Sequence, residues 1–193
     1  MAYSNPTGLT SVTGCFSSNV DFSAIPPAVL QNAAERGSRV HTAIAKHLAG
    51  EYCVIEDDIA GYYEAAMLFL KRSVEDIFFF ETRLTCHTFG FTGQVDLGCR
   101  LRGDKEGTII DWKTSVATSK SWELQTSAYM YLAKEAYPEC WFKRAMTVQL
   151  SSSKNFTVKE YTATKKNLSI FLAALTVTNF FGVKHAEIDW ENL

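Results

Sequence analysis

Two stretches decide the reading of this chain: Phe91-Thr92-Gly93-Gln94-Val95-Asp96-Leu97-Gly98-Cys99-Arg100-Leu101 and Thr108-Ile109-Ile110-Asp111-Trp112-Lys113. The first alternates, with Val95, Leu97 and Cys99 expected on one face and Gln94, Asp96 and Gly98 on the other. The run from Arg102 to Gly107 reads as a hairpin-like turn into the second strand. Alternation along that strand puts Asp111 and Lys113 on one face and turns Trp112 into a packing layer on the other. Antiparallel pairing through the turn would bring Asp96 beside Asp111. Two carboxylates and one ammonium would then converge at one sheet edge.

Outward from this centre the periodicity changes to helical. Downstream, a helix is expected over about Ser119 to Ala136, followed by strands near Phe142–Leu150 and Phe156–Tyr161 and a last helix over about Ala163 to Phe180. Upstream, Ile77 to Cys86 reads as a strand, with Phe78, Phe79 and Phe80 as buried positions rather than a base-stacking platform. Before it come a helix from Asp57 to Ser73, opened by acidic residues, and one from Ser38 to Ala49. Pro26 and Pro27 suit the start of a further helix reaching Glu35, with Gly37 as a break. The region 1–23, rich in Ser, Thr, Gly and Asn, reads as a flexible segment, and 24–193 as a single domain. This order predicts an α/β fold, a central mixed β-sheet flanked by helices.

Composition narrows the class. The chain has 193 residues, 47% hydrophobic and 21% charged, with a formal charge of −2. These values exclude a largely disordered chain and a protein that holds nucleic acid by overall charge. No apolar run is long enough to span a membrane, and the first residues lack a secretory pattern. The five scattered cysteines show no Cys-x-x-Cys pair, so reduced thiols and an intracellular, cytoplasmic location are expected.

Paired carboxylates beside a lysine suit phosphodiester hydrolysis. Two close carboxylates repel unless a cation such as Mg²⁺ or Mn²⁺ neutralises them. The ion polarises the phosphoryl oxygen and activates water, and a lysine stabilises the developing charge. The carbonyl of Trp112, between Asp111 and Lys113, is a further candidate oxygen ligand. His41 lies on the apolar side of its helix, as a core histidine or an imidazole ligand. Gln125 and Tyr129 share one helix face with Trp122. Taken singly, Asp111 and Lys113 also read as a solvated strand-end ion pair, and Gln125 as a buried amide.

The four pieces together resemble a known family. Gly37-x-x-x-His41, Gly93-x-x-Asp96, Asp111-x-Lys113 and Gln125-x-x-x-Tyr129 occur in the order seen in the RecB-like branch of the PD-(D/E)XK nuclease superfamily, of the phage and bacterial exonuclease type. The resemblance implies a restriction-endonuclease-like αβββαβ core with extra N-terminal helices. It implies metal binding by His41, Asp96, Asp111 and the Trp112 carbonyl, with Lys113 as the catalytic lysine. Gln125 and Tyr129 would position the DNA backbone or support the site. Glu81 is a candidate additional acidic member, or else a salt-bridge partner of Arg83 or Arg100. Asp111 stands where glutamate is commoner. No cysteine follows Cys140, so no iron–sulfur cluster is expected, and there is no nucleotide-binding P-loop of a helicase motor. Arg36, Arg39, Lys46 and Lys120 are candidate DNA contacts, or a solvated charged surface.

The resulting expectation is a divalent-metal-dependent deoxyribonuclease, an exonuclease in recombination, repair or phage DNA processing. A recombination or helicase partner, or self-assembly, would supply processivity. The rival readings are a catalytically inactive DNA-binding or assembly module on the same fold, and an unrelated scaffold with chance motifs.

Overall fold

The computed structural model describes residues 8–16 and 26–182. Its core is a six-stranded mixed sheet: β1 (Thr10–Ser11), β2 (Val74–Cys86), β3 (Phe91–Leu101), β4 (Gly107–Lys113), β5 (Phe142–Leu150) and β6 (Phe156–Glu160). The helices are α1 (Pro27–Leu48), α2 (Asp57–Ser73), α3 (Ser121–Ala136) and α4 (Thr164–Gly182). β2, β3 and β4 form an antiparallel meander, β5 runs parallel to β4, and β6 returns antiparallel to β5. The α/β class and mixed sheet expected from the element order are present.

Each face of the sheet carries its own core. Val40, Ala43 and Ile44 of α1 and Ala65, Ala66 and Phe69 of α2 pack on Leu97, Ile110, Trp112 and Val148. On the opposite face Ala128, Tyr129 and Leu132 of α3 and Phe171 and Leu175 of α4 pack on Phe79, Phe91, Val95 and Ile109. Ile109 and Trp112 therefore lie in different layers, as alternation along β4 requires. Acidic Asp57 and Asp58 open α2, and Lys71 and Arg72 close it, matching the helix dipole at both ends.

Three expectations are corrected. Gly37 does not break a helix: α1 runs unbroken from Pro27 to Leu48. Tertiary burial of Val40, Ala43 and Ile44 outweighs the glycine penalty of about 1 kcal/mol. The region 1–23 is not wholly a linker. Thr10 and Ser11 pair parallel with Phe91 and Thr92 of β3, and Val12 and Cys15 are fully buried. Residues 1–7 and 17–23 lie outside the described residues. Finally, Val95 does not share a layer with Leu97 and Cys99: Val95 joins the α3–α4 core, the other two the α1–α2 core.

That last change of face has a visible cause. Glu81, opposite this point on β2, has a φ of +42°, a left-handed conformation unusual for a non-glycine residue within a strand. β2 changes layer across it as well, with Phe79 before it and Leu84 after it on the same side. β4 pairs with β3 only as far as Leu97 and Ile110, whereas β1 joins β3 at Phe91 and Thr92. Between them the β3 edge from Gly93 to Asp96 is left open. The sheet thus has a gap where the two signature carboxylates sit.

Gly93 is required by close approach rather than by its dihedral angles. A Cβ there would lie 2.7 Å from Tyr129 Cε1 and 3.1 Å from Leu132 Cδ1. Gly93→Ala is expected to destabilise the protein by about 1–3 kcal/mol, as overpacking of a filled core does. Urea unfolding checks this.

Candidate active site

The gap in the sheet opens into a cavity of about 280 Å³, lined by His41, Glu81, Gln94, Asp96, Asp111, Lys113, Gln125 and Tyr129 among others. α1 supplies His41, β2 Glu81, β3 Gln94 and Asp96, β4 Asp111 and Lys113, and α3 Gln125 and Tyr129. Five elements remote in sequence meet here.

Asp96 replaces a missing ladder bond. Its Oδ2 accepts the Trp112 N–H at 2.8 Å, which ties β3 to β4 where regular pairing stops. Its Oδ1 lies 3.4 Å from His41 Nδ1, and Glu81 Oε1 lies at the same distance from that nitrogen. The other imidazole nitrogen, Nε2, is 3.2 Å from the Trp112 carbonyl. That separation serves a hydrogen bond from the Nε2–H tautomer.

Asp111 and Lys113 share a face, as expected, with Lys113 Nζ 2.6 Å from Asp111 Oδ2. Gln125 braces both. Its Oε1 accepts from Lys113 Nζ at 3.1 Å, and its Nε2 donates to Asp111 Oδ1 at 3.1 Å and to Tyr129 Oη at 3.0 Å. One carbonyl and one NH₂ meet one donor and two acceptors, which fixes the amide orientation. Gln125 and Tyr129 are thus joined to each other and, through Gln125, to Asp111 and Lys113. Gln125→Ala leaves Lys113 and Asp111 unbraced. It is expected to lower the kcat of any reaction at this site about 10–100-fold, the usual loss when a group orienting such a site is removed. Steady-state kinetics check this.

Glu81 does not pair with Arg83 or Arg100. Arg100 binds Asp76 and Glu75, and Arg83 donates to Gln94 Oε1 at 3.2 Å. Gln94 Nε2 in turn donates to Glu81 Oε2 at 2.7 Å. Gln94 was not singled out from the sequence, although it sits inside the Gly93–Asp96 signature. Ser11 and Thr13 also line the cavity, and nothing in their sequence context marks them.

The electrostatics follow from burial and proximity. Burial opposes charge on His41, but the Asp96 and Glu81 carboxylates outweigh it and hold its pKa well above the ordinary histidine value. Burial also opposes charge on Asp96, yet His41, Lys113 and the Trp112 N–H bring its carboxyl below the usual value. Asp111 moves the other way. Burial, aided by the Asp96 charge, pushes it up to about 6 against the pull of Lys113 and His41. Burial, with the same two carboxylates, drives the Tyr129 phenol well above its ordinary range. Two carboxylates in one site have thus been driven apart.

The residues present fit a divalent cation. His41, Glu81 and Asp96 each offer a donor atom, and these atoms lie within 4.8 Å of one another. One nitrogen and two oxygens about a common point suit a hard or borderline ion. Asp111 Oδ2 adds a buried oxygen, paired with the Lys113 ammonium at 2.6 Å. The imidazole and Asp96 meet as expected, but the closest third member is Glu81. Asp111 lines the same cavity, engaged by Gln125 and Lys113.

The candidate basic contacts separate. Arg36 lies over the Tyr62 ring, 5.3 Å from its centroid. Arg39 pairs with Glu56 and Asp58 on the surface. Lys46 is in the last turn of α1, and Lys120 precedes α3 and lines a separate cleft with Lys166. None of the four lines the cavity holding His41.

A sequence model of the PD-(D/E)XK nuclease superfamily matches residues 63–175, more than half of the chain and including Asp96, Asp111, Lys113 and Gln125. The chain belongs to this superfamily. Solved structures similar to this superfamily member include an exonuclease candidate from Eubacterium rectale, 12% identical, with a TM-score of 0.48. That likeness covers 77% of this chain and 65% of the other, so this chain spans about two thirds of its length. An alkaline exonuclease from Laribacter hongkongensis is 11% identical over 91% of both chains, with a TM-score of 0.44. No curated protein matches the sequence. Among the described residues no helix is long and apolar enough to cross a membrane.

Proposed function

We propose that this PD-(D/E)XK superfamily member is a divalent-metal-dependent deoxyribonuclease of the RecB-like type, an exonuclease acting on DNA ends. One observation carries the reading: His41, Glu81 and Asp96 converge beside an Asp111–Lys113–Gln125 network in one cavity. His41, Glu81, Asp96 and Asp111 would hold Mg²⁺ or Mn²⁺, with the Trp112 carbonyl adjoining His41. When bound, the ion supplies Lewis-acid polarisation of the phosphoryl oxygen and a more acidic water.

The protein's own groups account for the rest. Lys113 Nζ, anchored by Gln125 and Asp111, presents a fixed positive charge to the phosphorane-like transition state. Gln125 and Tyr129 keep Asp111 oriented, and the Asp96 bond to Trp112 N–H keeps β3 and β4 in register at the site. An intact carboxylate–lysine set gives no support to an inactive module. We read such an enzyme as acting in recombination, repair or phage DNA processing, with a helicase or recombination partner or with self-assembly, a reading supported by the RecB-like resemblance.

The test is degradation of linear DNA in Mg²⁺ or Mn²⁺, comparing wild type with Asp111→Ala and Lys113→Ala. Equal activity in all three would reject the site. Metal-independent DNA binding without cleavage would favour the inactive module.

Metal binding is expected to be pH-dependent. Asp111, raised to about 6, and His41, raised above its ordinary value, must both lose a proton before they can ligate. Affinity therefore rises with pH through 6 and above, and falls on acidification. Calorimetric Mn²⁺ titrations between about pH 5.5 and pH 8.5 check the sign. In the metal-free protein, the raised Asp111 value contributes stability that is complete below the ordinary carboxyl range and lost as pH rises through about 6.

A further inference from the structure

A cleft of about 700 Å³ lies between the starts of α3 and α4 and shares no lining residue with the cavity that holds His41. Two exposed lysines, Lys120 and Lys166, line it, and among the described residues neither ammonium has an ion-pair partner. One acid lines it, Glu123, whose Oε1 lies 3.8 Å from Lys159 Nζ. Phe16, Leu124 and Ile170 make the apolar part of the wall.

Asn167, in the first turn of α4, also lines the cleft and is only 5% exposed. Its Nδ2 is buried with no hydrogen-bond partner. A buried amide left unpaired costs stability, and a ligand that pairs with it removes that cost. No side-chain hydrogen bond fixes this amide, so turning it about its last bond presents the NH₂ to the cleft and breaks nothing. The backbone adds further donors. The Asn167 N–H bonds to Ala163 O, which leaves the N–H groups of Thr164, Lys165 and Lys166 without an intrahelical acceptor. Ala163, just before the helix, has no side-chain oxygen to offer them. The start of α3 differs, because Ser119 Oγ and the carbonyls of Ser119 and Lys120 already take the N–H groups of Ser121, Trp122 and Glu123. The cleft thus gathers two unpaired ammoniums, one unpaired buried amide and one open helix N-terminus.

We propose that this cleft binds a small organic phosphate. Lys120, Lys166, the Asn167 amide and the α4 N-terminus hold the phosphate group, and Phe16, Leu124 and Ile170 hold its organic part. A phosphate monoester carries a charge of about −1.5 to −2 at neutral pH, which two ammoniums match. A helix N-terminus favours such an anion through its N–H groups and its dipole. The volume falls within the range of whole small-molecule sites, about 300–1,000 Å³, and exceeds what a bare ion needs. The inference is independent of the nuclease reading, since no group assigned there to metal or cleavage lines the cleft.

The experiment is a ¹H–¹⁵N NMR titration of the whole protein with phenyl phosphate, in EDTA and without divalent ions. Phenyl phosphate is expected to bind with a Kd of about 1 mM or tighter. It should shift the Asn167 side-chain NH₂ signal, which is identified by its loss in Asn167→Asp. Lys120→Ala and Lys166→Ala, both at exposed side chains that do not bear on folding, should each weaken binding about fivefold, the upper worth of an exposed charge pair. Asn167→Asp should abolish it. Lys105→Ala, in the exposed turn before β4, and Lys113→Ala, in the other cavity, should leave it unchanged. Unchanged affinity in both Lys120→Ala and Lys166→Ala, or an unmoved Asn167 signal, would overturn the site. Inorganic phosphate binding as tightly as phenyl phosphate would overturn the organic part of the assignment. Displacement of phenyl phosphate by a single-stranded 20-mer lacking terminal phosphates would overturn the small-molecule assignment in favour of nucleic acid.

Discussion

Asp96→Asn is expected to lower DNA cleavage by about 10³-fold or more and to abolish Mn²⁺ binding, with little change in stability. The two oxygens of Asp96 have separate duties. Oδ2 accepts the Trp112 N–H at 2.8 Å, and Oδ1 faces the imidazole and Glu81. An asparagine keeps one carbonyl oxygen for Trp112, so the tie between β3 and β4 survives. It turns an NH₂ toward His41 and Glu81, which removes a ligand and a negative charge together. The same change takes away the leading support for the raised His41 pKa, which should fall toward its ordinary value. Single-turnover cleavage, calorimetric Mn²⁺ titration and an NMR titration of His41 report the three effects. Cleavage within tenfold of wild type would exclude Asp96 from the site.

The largest stability effect is expected at a glycine remote from any catalytic group. Gly61 lies in α2, where the helix rests on the turn between β5 and β6. A Cβ at that position would lie 2.0 Å from Ser152 O and 2.6 Å from its carbonyl carbon. Both are backbone atoms, so no side chain can rotate to make room. Gly61→Ala must displace α2 or the turn, at a cost of about 3 kcal/mol, the upper part of the overpacking range. For a chain of this size that corresponds to a fall in Tm of about 6–12 °C. Gly37→Ala is the natural contrast. A Cβ there meets only Thr114 Oγ1 at 3.5 Å, an ordinary contact, within an unbroken helix. It is expected to be neutral or stabilising by up to about 1 kcal/mol. Calorimetry on both variants checks the opposite signs.

The local rules carried the reading a long way. Alternation along β4 was enough to put Asp111 and Lys113 together and send Trp112 to the other core. Helical spacing was enough to pair Gln125 with Tyr129. The order of elements gave the mixed sheet, and the four short motifs pointed to the superfamily whose sequence model matches.

What the tertiary structure alone decided lies where contacts are non-local. Glu81 joins His41 and Asp96 through a left-handed backbone conformation that carries no sequence mark, and Gln94 reaches it only across the β2–β3 pairing. The change of layer between Val95 and Leu97 breaks the alternation that strand periodicity assumes. Gly37 stays helical because burial of Val40 and Ile44 outweighs propensity, and Thr10 and Ser11 become a strand because β3 offers an open edge. Periodicity records which side of an element is buried. It holds no record of where one strand leaves another, and in this protein the site is built at that departure.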